Sequence, residues 1–93
     1  MLRRLVLDVL KPHEPRIVPF TKSISEIEGV DGVTASLMEI DEDVRTVRIA
    51  VEGEDLDLET IEAAVSDLGG SVHSIDQVSY GTTVVEDLGP IDR

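Results

Sequence analysis

The 93-residue chain carries a net charge of −12 at pH 7, with 20 acidic residues against 8 basic ones and no cysteine. This excess of negative charge repels the phosphate backbone of nucleic acids, so we predict no nucleic-acid partner. The lack of cysteine excludes disulfides, thiolate metal sites and thiol nucleophiles. No stretch approaches the roughly 20 apolar residues of a membrane span, and no signal peptide is recognisable. We therefore expect a cytoplasmic protein without membrane contact.

The strong acidity has two interpretations. It can simply keep the surface solvated and the protein soluble. It can also reflect a host with a salty cytoplasm, in which ions screen the repulsion between like charges. Only two of the basic residues are lysine, Lys11 and Lys22, and this scarcity favours the halophilic interpretation.

The first predicted elements are a strand over residues 3–10 and a helix that begins near residue 17. Apolar residues fall on both faces of the strand, which is typical of a central strand. The strand ends at Pro12 and Pro15, because proline lacks the backbone N–H that donates a hydrogen bond to a neighbouring strand. Gly29 supplies the end of the helix. The apolar stripe of the helix consists of Ile17, Phe20, Ile24 and Ile27.

Four further elements follow at regular intervals. Imperfect alternation in the second strand indicates either a bulge near Met38 or a covered outer face. The third strand has the cleanest period of two, and Asp55 or Asp57 caps the second helix. The predicted elements are strands over residues 33–40, 45–52 and 71–80 and a helix over residues 57–68.

The order strand, helix, strand, strand, helix, strand predicts an α+β fold of the ferredoxin-like βαββαβ type. This fold consists of a four-stranded antiparallel sheet with two helices on one face. Right-handed crossovers place the first and third strands in the middle. We expect one domain over residues 1–80. An acidic tail over residues 81–93 would add a short edge strand and then become disordered.

One face of that sheet is predicted to be bare. If Leu5, Leu7 and Val9 point towards the helices, the opposite face is too apolar for open water. We therefore expect this face, or an edge strand beside it, to pack against a second copy of the chain. The alternative is a covered sheet with a few stray apolar residues. The predicted bare face comprises Val6, Asp8, Leu10, Met38, Ile40, Arg48 and Ala50.

Asp8 is a carboxylate in an otherwise apolar strand, and three roles are open to it. It can form an ion pair with Arg48 on the neighbouring strand, bind a metal or act as a catalytic acid. His73 and Asp76 lie three residues apart on the fourth strand, so they face opposite sides unless a bulge intervenes. His73 is either a structural histidine or a ligand.

Four carboxylates surround the predicted hairpin between the second and third strands, namely Glu39, Asp41, Glu42 and Asp43. They can supply oxygens to a hard cation or form a solvated turn. A twelve-residue calcium loop that starts at Asp41 fails, because Thr46 occupies its glycine position. The chain also lacks phosphate-loop, dinucleotide-binding, zinc-protease and serine-hydrolase motifs.

Four segments of the chain together resemble an archaeal family, domain-of-unknown-function family 211. They read L-V-L-D-V-L-K-P-H-E-P (5–15), E-G-V-D-G-V (28–33), L-M-E-I-D (37–41) and G-G-S-V-H-S-I-D-Q-V (69–78). The resemblance covers residues 3–85 and implies a ferredoxin-like fold, ring-like homo-oligomers and bound calcium, with no established reaction. It implies metal-ligand roles at the polar positions in these segments, which are Asp8, Glu39, Asp41, His73 and Asp76.

Three functional hypotheses follow. The first is a non-enzymatic domain that self-assembles and binds calcium or magnesium at the sheet face or a subunit interface. The second is a regulatory module that binds a small metabolite between subunits. The third is an enzyme resembling acylphosphatases, with Lys11 and Arg16 near the phosphate. Pro12 and Pro15 replace the glycine-rich loop that this chemistry would use.

Overall fold

The computed structural model describes residues 1–41 and 43–86, and its six elements follow the predicted order. The strands are β1 (Leu2–Lys11), β2 (Val30–Ile40), β3 (Arg45–Gly53) and β4 (Ser71–Tyr80), and the helices are α1 (Ile17–Ser25) and α2 (Leu58–Asp67). The strands pair antiparallel in the order β2-β3-β1-β4. The predicted ferredoxin-like α+β fold is therefore confirmed, including the central positions of β1 and β3.

The core lies between the two central strands and the helices. On β1, Leu5, Leu7 and Val9 are fully buried, as predicted, and each pairs with a fully buried residue of β3. Burial of each such side chain contributes roughly 1.5–3 kcal/mol. The partners on β3 are Val51, Ile49 and Val47, and the helices add Phe20, Ile24, Ile61 and Val65.

The two helices begin differently. The carboxylate of Asp57 caps α2, accepting hydrogen bonds from the Glu59 amide over 3.1 Å and from the Thr60 hydroxyl over 2.9 Å. Of the two predicted caps, Asp57 is thus the one used. The residue before α1 is Arg16, and its side chain makes no capping hydrogen bond.

A bulge interrupts β2 where its alternation was predicted to fail. The register with β3 shifts between Leu37 and Glu39 and leaves Met38 without a partner. The extra residue inverts the alternation beyond it. Ile40 therefore pairs with Arg45, which is paired with buried Lys11 on the helix side. The prediction that Ile40 lies on the bare face is wrong for this reason.

Beyond β4, residues 81–86 form neither a helix nor a further strand. The amide of Gly81 donates a hydrogen bond to the carbonyl of Met1 over 2.9 Å, which ties this segment to the start of β1. The rest of the predicted tail, residues 87–93, lies outside the described residues, as does Glu42 in the β2–β3 hairpin. Neither helix in the described part of the chain is long and apolar enough to cross a membrane.

Candidate functional site

Arg48 joins two carboxylates at the centre of the bare sheet face. It stands directly opposite Asp8 in the antiparallel pairing of β3 with β1. Its Nε donates a hydrogen bond to Oδ1 of Asp8 over 3.0 Å, and its Nη2 donates to Oδ2 of Asp76 over 3.4 Å. The Asp8 side chain is 20% exposed. Asp8 thus forms the predicted cross-strand ion pair, and Asp76 extends that pair to β4.

Two bulges in β4 bring Asp76 to this position. The register of β4 with β1 shifts between Val6 and Leu7 and again between Asp8 and Val9. The residues of β4 left without partners are Asp76 and His73. Asp8 then pairs with Ser74, whose hydroxyl donates a hydrogen bond to Oδ1 of Asp76 over 2.9 Å.

The electrostatics of this cluster favour the charged forms of Asp8 and Arg48. The hydrogen bond from Arg48 lowers the pKa of Asp8 below its ordinary value, together with the positive charge of Arg48 and smaller contributions from Asp76 and His73. Burial opposes this shift without reversing it. In return, the hydrogen bond to Asp8 raises the pKa of Arg48. Asp8 and Arg48 therefore stay ionised over the neutral range, and the cluster already contains its own cation.

The five predicted metal ligands form two groups in the sheet. Asp8, His73 and Asp76 belong to β1 and β4, whereas Glu39 lies on β2 and Asp41 follows it. The whole of β3 and β1 separates β2 from β4 within one chain. Within residues 1–41 and 43–86, no three His, Asp or Glu side chains are grouped so that they could hold a metal ion. A site made from the predicted ligands would need groups from a second copy.

The bare face is less apolar than predicted. Val6, Leu10 and Ala50 are half-buried, and charged pairs flank them. One pair joins Asp8 to Arg48, and the other joins Nε of Arg4 to Oε2 of Glu52 over 3.6 Å. Alternation in β1 and β3 places these charges on the same face as the small apolar residues, which reduces the continuous apolar area.

Six of the nine large apolar side chains that are exposed in the described residues lie on the two edge strands. These six are between 46% and 69% exposed. Ile75 and Val78 pair with buried Leu7 and Leu5, so they lie on the helix side of β4, where the helices leave them uncovered. Sequence patterning could not show this, because the reach of α2 over β4 depends on packing. The six residues are Leu37, Met38 and Ile40 on β2 and Ile75, Val78 and Tyr80 on β4.

The element order and the sheet β2-β3-β1-β4 define a ferredoxin-like α+β protein. The chain belongs to domain-of-unknown-function family 211, described as uncharacterized ArCR, whose sequence profile matches residues 3–91. It is also 40% identical over 93 residues to Uncharacterized protein MJ0319 of Methanocaldococcus jannaschii, with 99% of this chain and 96% of that protein aligned. The family predicted from the four segments is confirmed, and its function is unknown.

Proposed function

We propose that this chain is a non-enzymatic, cytoplasmic domain that assembles edge to edge with copies of itself and binds calcium or magnesium between them. One observation carries the proposal. Three large apolar side chains are exposed on each edge strand of the sheet, β2 and β4. Exposed apolar side chains grouped on one strand are typical of sites where proteins associate. We call these two surfaces the β2 edge (Leu37, Met38, Ile40) and the β4 edge (Ile75, Val78, Tyr80).

The topology supports pairing between unlike edges. Because every neighbouring pair of strands is antiparallel, β2 and β4 run in opposite directions at the two ends of the sheet. The β4 edge of one copy beside the β2 edge of the next would therefore continue the antiparallel alternation. Such head-to-tail contacts form a closed ring when the rotation between copies closes. The two bulges weaken β4 as a hydrogen-bonding edge, so side chains would contribute most of the contact.

This arrangement also brings two of the predicted ligands, Glu39 and His73, towards each other. Along the sheet, Glu39 is level with Thr46, Leu10 and Ser71, which places it near the start of β4. In unstaggered edge pairing, Glu39 of one copy would lie opposite Ser71 of the next, two residues from His73, whereas Asp41 would lie beyond the start of β4. A net charge of −12 per copy opposes assembly. A divalent cation bound between Glu39 and His73 would offset the repulsion where the copies meet.

Assembly is tested by light scattering coupled to size exclusion, at micromolar concentration. Leu37→Asp and Val78→Asp place a charge on the β2 and β4 edges respectively, and both should give monomers. Val18→Asp is the matched control, because Val18 is 75% exposed and belongs to α1 and to neither edge strand. It should assemble like the unmodified chain. A monomeric unmodified chain would contradict the proposal.

The cation is tested separately from assembly. Dialysis against a chelator should lower the melting temperature or dissociate the particle at physiological salt, and added calcium should reverse the change. Glu39→Gln and His73→Gln should reduce the response to calcium, whereas Asp67→Asn on α2 should not. If the chelator has no effect on an assembled particle, the cation is not part of the function while edge-to-edge assembly remains.

A second candidate function, the binding of a small metabolite, has one observation in its favour. A depression of about 550 Å³ opens on the bare face. Gly32 and Ala50 provide little side chain there, and Arg4 and Glu52 offer charges of both signs. This suits a zwitterionic molecule such as an amino acid. A thermal-shift screen of metabolites separates the two functions, because only the metabolite-binding function predicts that an organic ligand stabilises the protein.

A further inference from the structure

We propose that a small pocket between the end of β1 and the start of α1 binds a phosphate group. The pocket has a volume of about 180 Å³ and no carboxylate in its lining. Its members come from β1, the loop after it, α1, β2 and β3, so the fold assembles the pocket from distant parts of the chain. The lining residues are Lys11, His13, Arg16, Ile17, Leu37 and Arg45.

The pocket concentrates positive charge in a protein that is otherwise strongly negative. It contains three of the eight basic residues of a chain whose net charge is −12. In the described part of the chain, no carboxylate oxygen comes within 4.0 Å of a side-chain nitrogen of Lys11, Arg16 or Arg45. By contrast, Arg4 and Arg48 both form such ion pairs. The three pocket cations therefore favour an external anion as their counter-charge.

Lys11 is fixed at the base of this pocket. It is only 3% exposed, and its Nζ donates hydrogen bonds to the carbonyls of Pro12, over 2.8 Å, and Pro15. The ammonium lies 5.9 Å from the centre of the Phe20 ring. Burial, and then the nearby charge of Arg45, lower the pKa of Lys11, which Glu14 partly opposes. A bound anion would relieve this crowding of cations.

Arg45 brings a guanidinium from the neighbouring strand, directly opposite Lys11 in the register. Its Nη1 lies 3.4 Å from the carbonyl of Asp41 and 3.5 Å from Nε2 of His13. Both contacts are long for hydrogen bonds. An arginine has five N–H donors in a planar fork that matches the oxygens of a phosphate. Arg45 is therefore placed to donate to an oxyanion without giving up a strong partner.

The start of α1 provides a further, independent contribution. This nine-residue helix has no side-chain cap and no acidic residue in its first turn, whereas α2 has both. In this helix the amides of Ile17 and Val18 have no acceptor within the helix and carry partial positive charge, whereas Pro19 has no N–H. Ile17, the first residue of α1, lines the pocket, and Arg16 precedes it. Oxyanion oxygens at this position would act as the missing cap.

The size of the pocket restricts the ligand. A volume of about 180 Å³ is smaller than the roughly 300–1,000 Å³ of typical small-molecule sites. A single tetrahedral oxyanion suits such a volume, with two apolar side chains, Ile17 and Leu37, on its walls. The ligand is thus inorganic phosphate or the phosphate of a monoester whose organic part remains outside the pocket.

The test is a titration of the full chain with inorganic phosphate, followed by calorimetry, with sodium chloride adjusted to keep ionic strength constant. We expect saturable binding that Arg16→Gln and Arg45→Gln each weaken by about tenfold. Lys22→Gln removes the same charge from α1 outside the pocket lining and should leave the affinity unchanged. Circular dichroism checks that each variant remains folded.

A second titration with glycerol 3-phosphate separates the two sources of the phosphate group. Tighter binding than inorganic phosphate identifies a phosphorylated metabolite as the ligand, and equal or weaker binding identifies free phosphate. Both results support the pocket. The proposal is overturned if neither compound gives saturable binding at millimolar concentration. It is equally overturned if Lys22→Gln weakens binding as much as Arg16→Gln and Arg45→Gln do.

Discussion

The Nε of Arg48 donates a hydrogen bond to Oδ1 of Asp8 over 3.0 Å, although the two residues are 40 positions apart in the chain. Antiparallel pairing of β1 with β3 sets them directly opposite each other. The bulged β4 then adds Asp76 to the same guanidinium. A carboxylate inside an apolar strand is thus explained by a partner from the neighbouring strand, and its ionisation becomes linked to folding.

This linkage predicts a stability change in acid. The folded chain lowers the pKa of Asp8 below its ordinary value of 3.8. The resulting stabilisation is present above that value and is lost as the pH falls through the lower pKa of the folded state. We expect Asp8→Asn and Arg48→Gln each to flatten the dependence of unfolding free energy on pH below about 4.

The pH dependence of the free energy of unfolding is measured by urea unfolding at a series of pH values between neutral and strongly acidic conditions. Because the Arg48 side chain is 48% exposed, solvent screens the pair and the effect should be modest. Identical pH profiles for the unmodified chain and both variants would show that the pair does not couple ionisation to stability.

The core makes a second prediction. Phe20 is fully buried on α1, so Phe20→Ala should lower the free energy of unfolding by roughly 3–5 kcal/mol. Val18→Ala, on the exposed side of the same helix, should change it by less than about 0.5 kcal/mol. Chemical denaturation of both variants provides the comparison, and similar losses in the two would argue against the packing of α1 on the sheet.

The cap of α2 makes a third prediction. Asp57→Ala removes two hydrogen bonds at the start of the helix and should lower the free energy of unfolding by about 1 kcal/mol. Asp55→Ala removes the same charge two residues earlier, outside the cap, and should have little effect. Thermal denaturation distinguishes the two, and an equal effect would mean that the charge, and not the cap geometry, matters.

Sequence patterns were sufficient for the layers of this fold because β3 alternates with a clean period of two. On β1 apolar residues occupy both faces, so the assignment of Leu5, Leu7 and Val9 to the helix side was a condition of the prediction, which their full burial confirms. Ile40 was assigned to the wrong face of the sheet. The bulge at Met38 adds one residue to β2, so each later residue of the strand lies on the face opposite to the one that simple alternation predicts. The broken alternation signalled that bulge without showing which residue would be left out.

The site residues were harder to predict than the fold. Asp8 and Arg48 could be paired in advance because the topology makes β1 and β3 neighbours. In the pocket proposed to bind phosphate, Lys11 and Arg16 could be placed near each other from the sequence, whereas the contribution of Arg45 could not be predicted, because it depends on the register between β3 and β1. Likewise, the exposure of Val78 depends on how far α2 extends over β4, which no periodicity records.

A close backbone approach makes a fourth prediction, at Gly53. A Cβ built there would lie 2.0 Å from the carbonyl oxygen of Gly29, so the two loops would have to separate. Gly53→Ala should lower the free energy of unfolding by at least roughly 1–3 kcal/mol. Gly32→Ala is the control, since nothing lies within 4 Å of its added Cβ. Comparable urea midpoints for the two variants would contradict the close approach of the Gly53 and Gly29 backbones.

The acidity of the chain makes a fifth prediction, on salt. A net charge of −12 on 93 residues produces repulsion within the folded protein, and salt screens it. Raising sodium chloride from about 0.1 M to about 1 M shortens the Debye length from about 10 Å to about 3 Å. The melting temperature should therefore rise with salt, steeply so if the host is halophilic.

Neutralising exposed carboxylates far from the proposed sites provides the control for that prediction. A triple variant, Glu26→Gln, Glu54→Gln and Asp67→Asn, lowers the net negative charge without touching an ion pair among the described residues. It should melt higher than the unmodified chain at low salt and respond less to added salt, because less repulsion remains to be screened. If both proteins melt at the same temperature regardless of salt, self-repulsion is not limiting and the halophilic interpretation loses its physical basis.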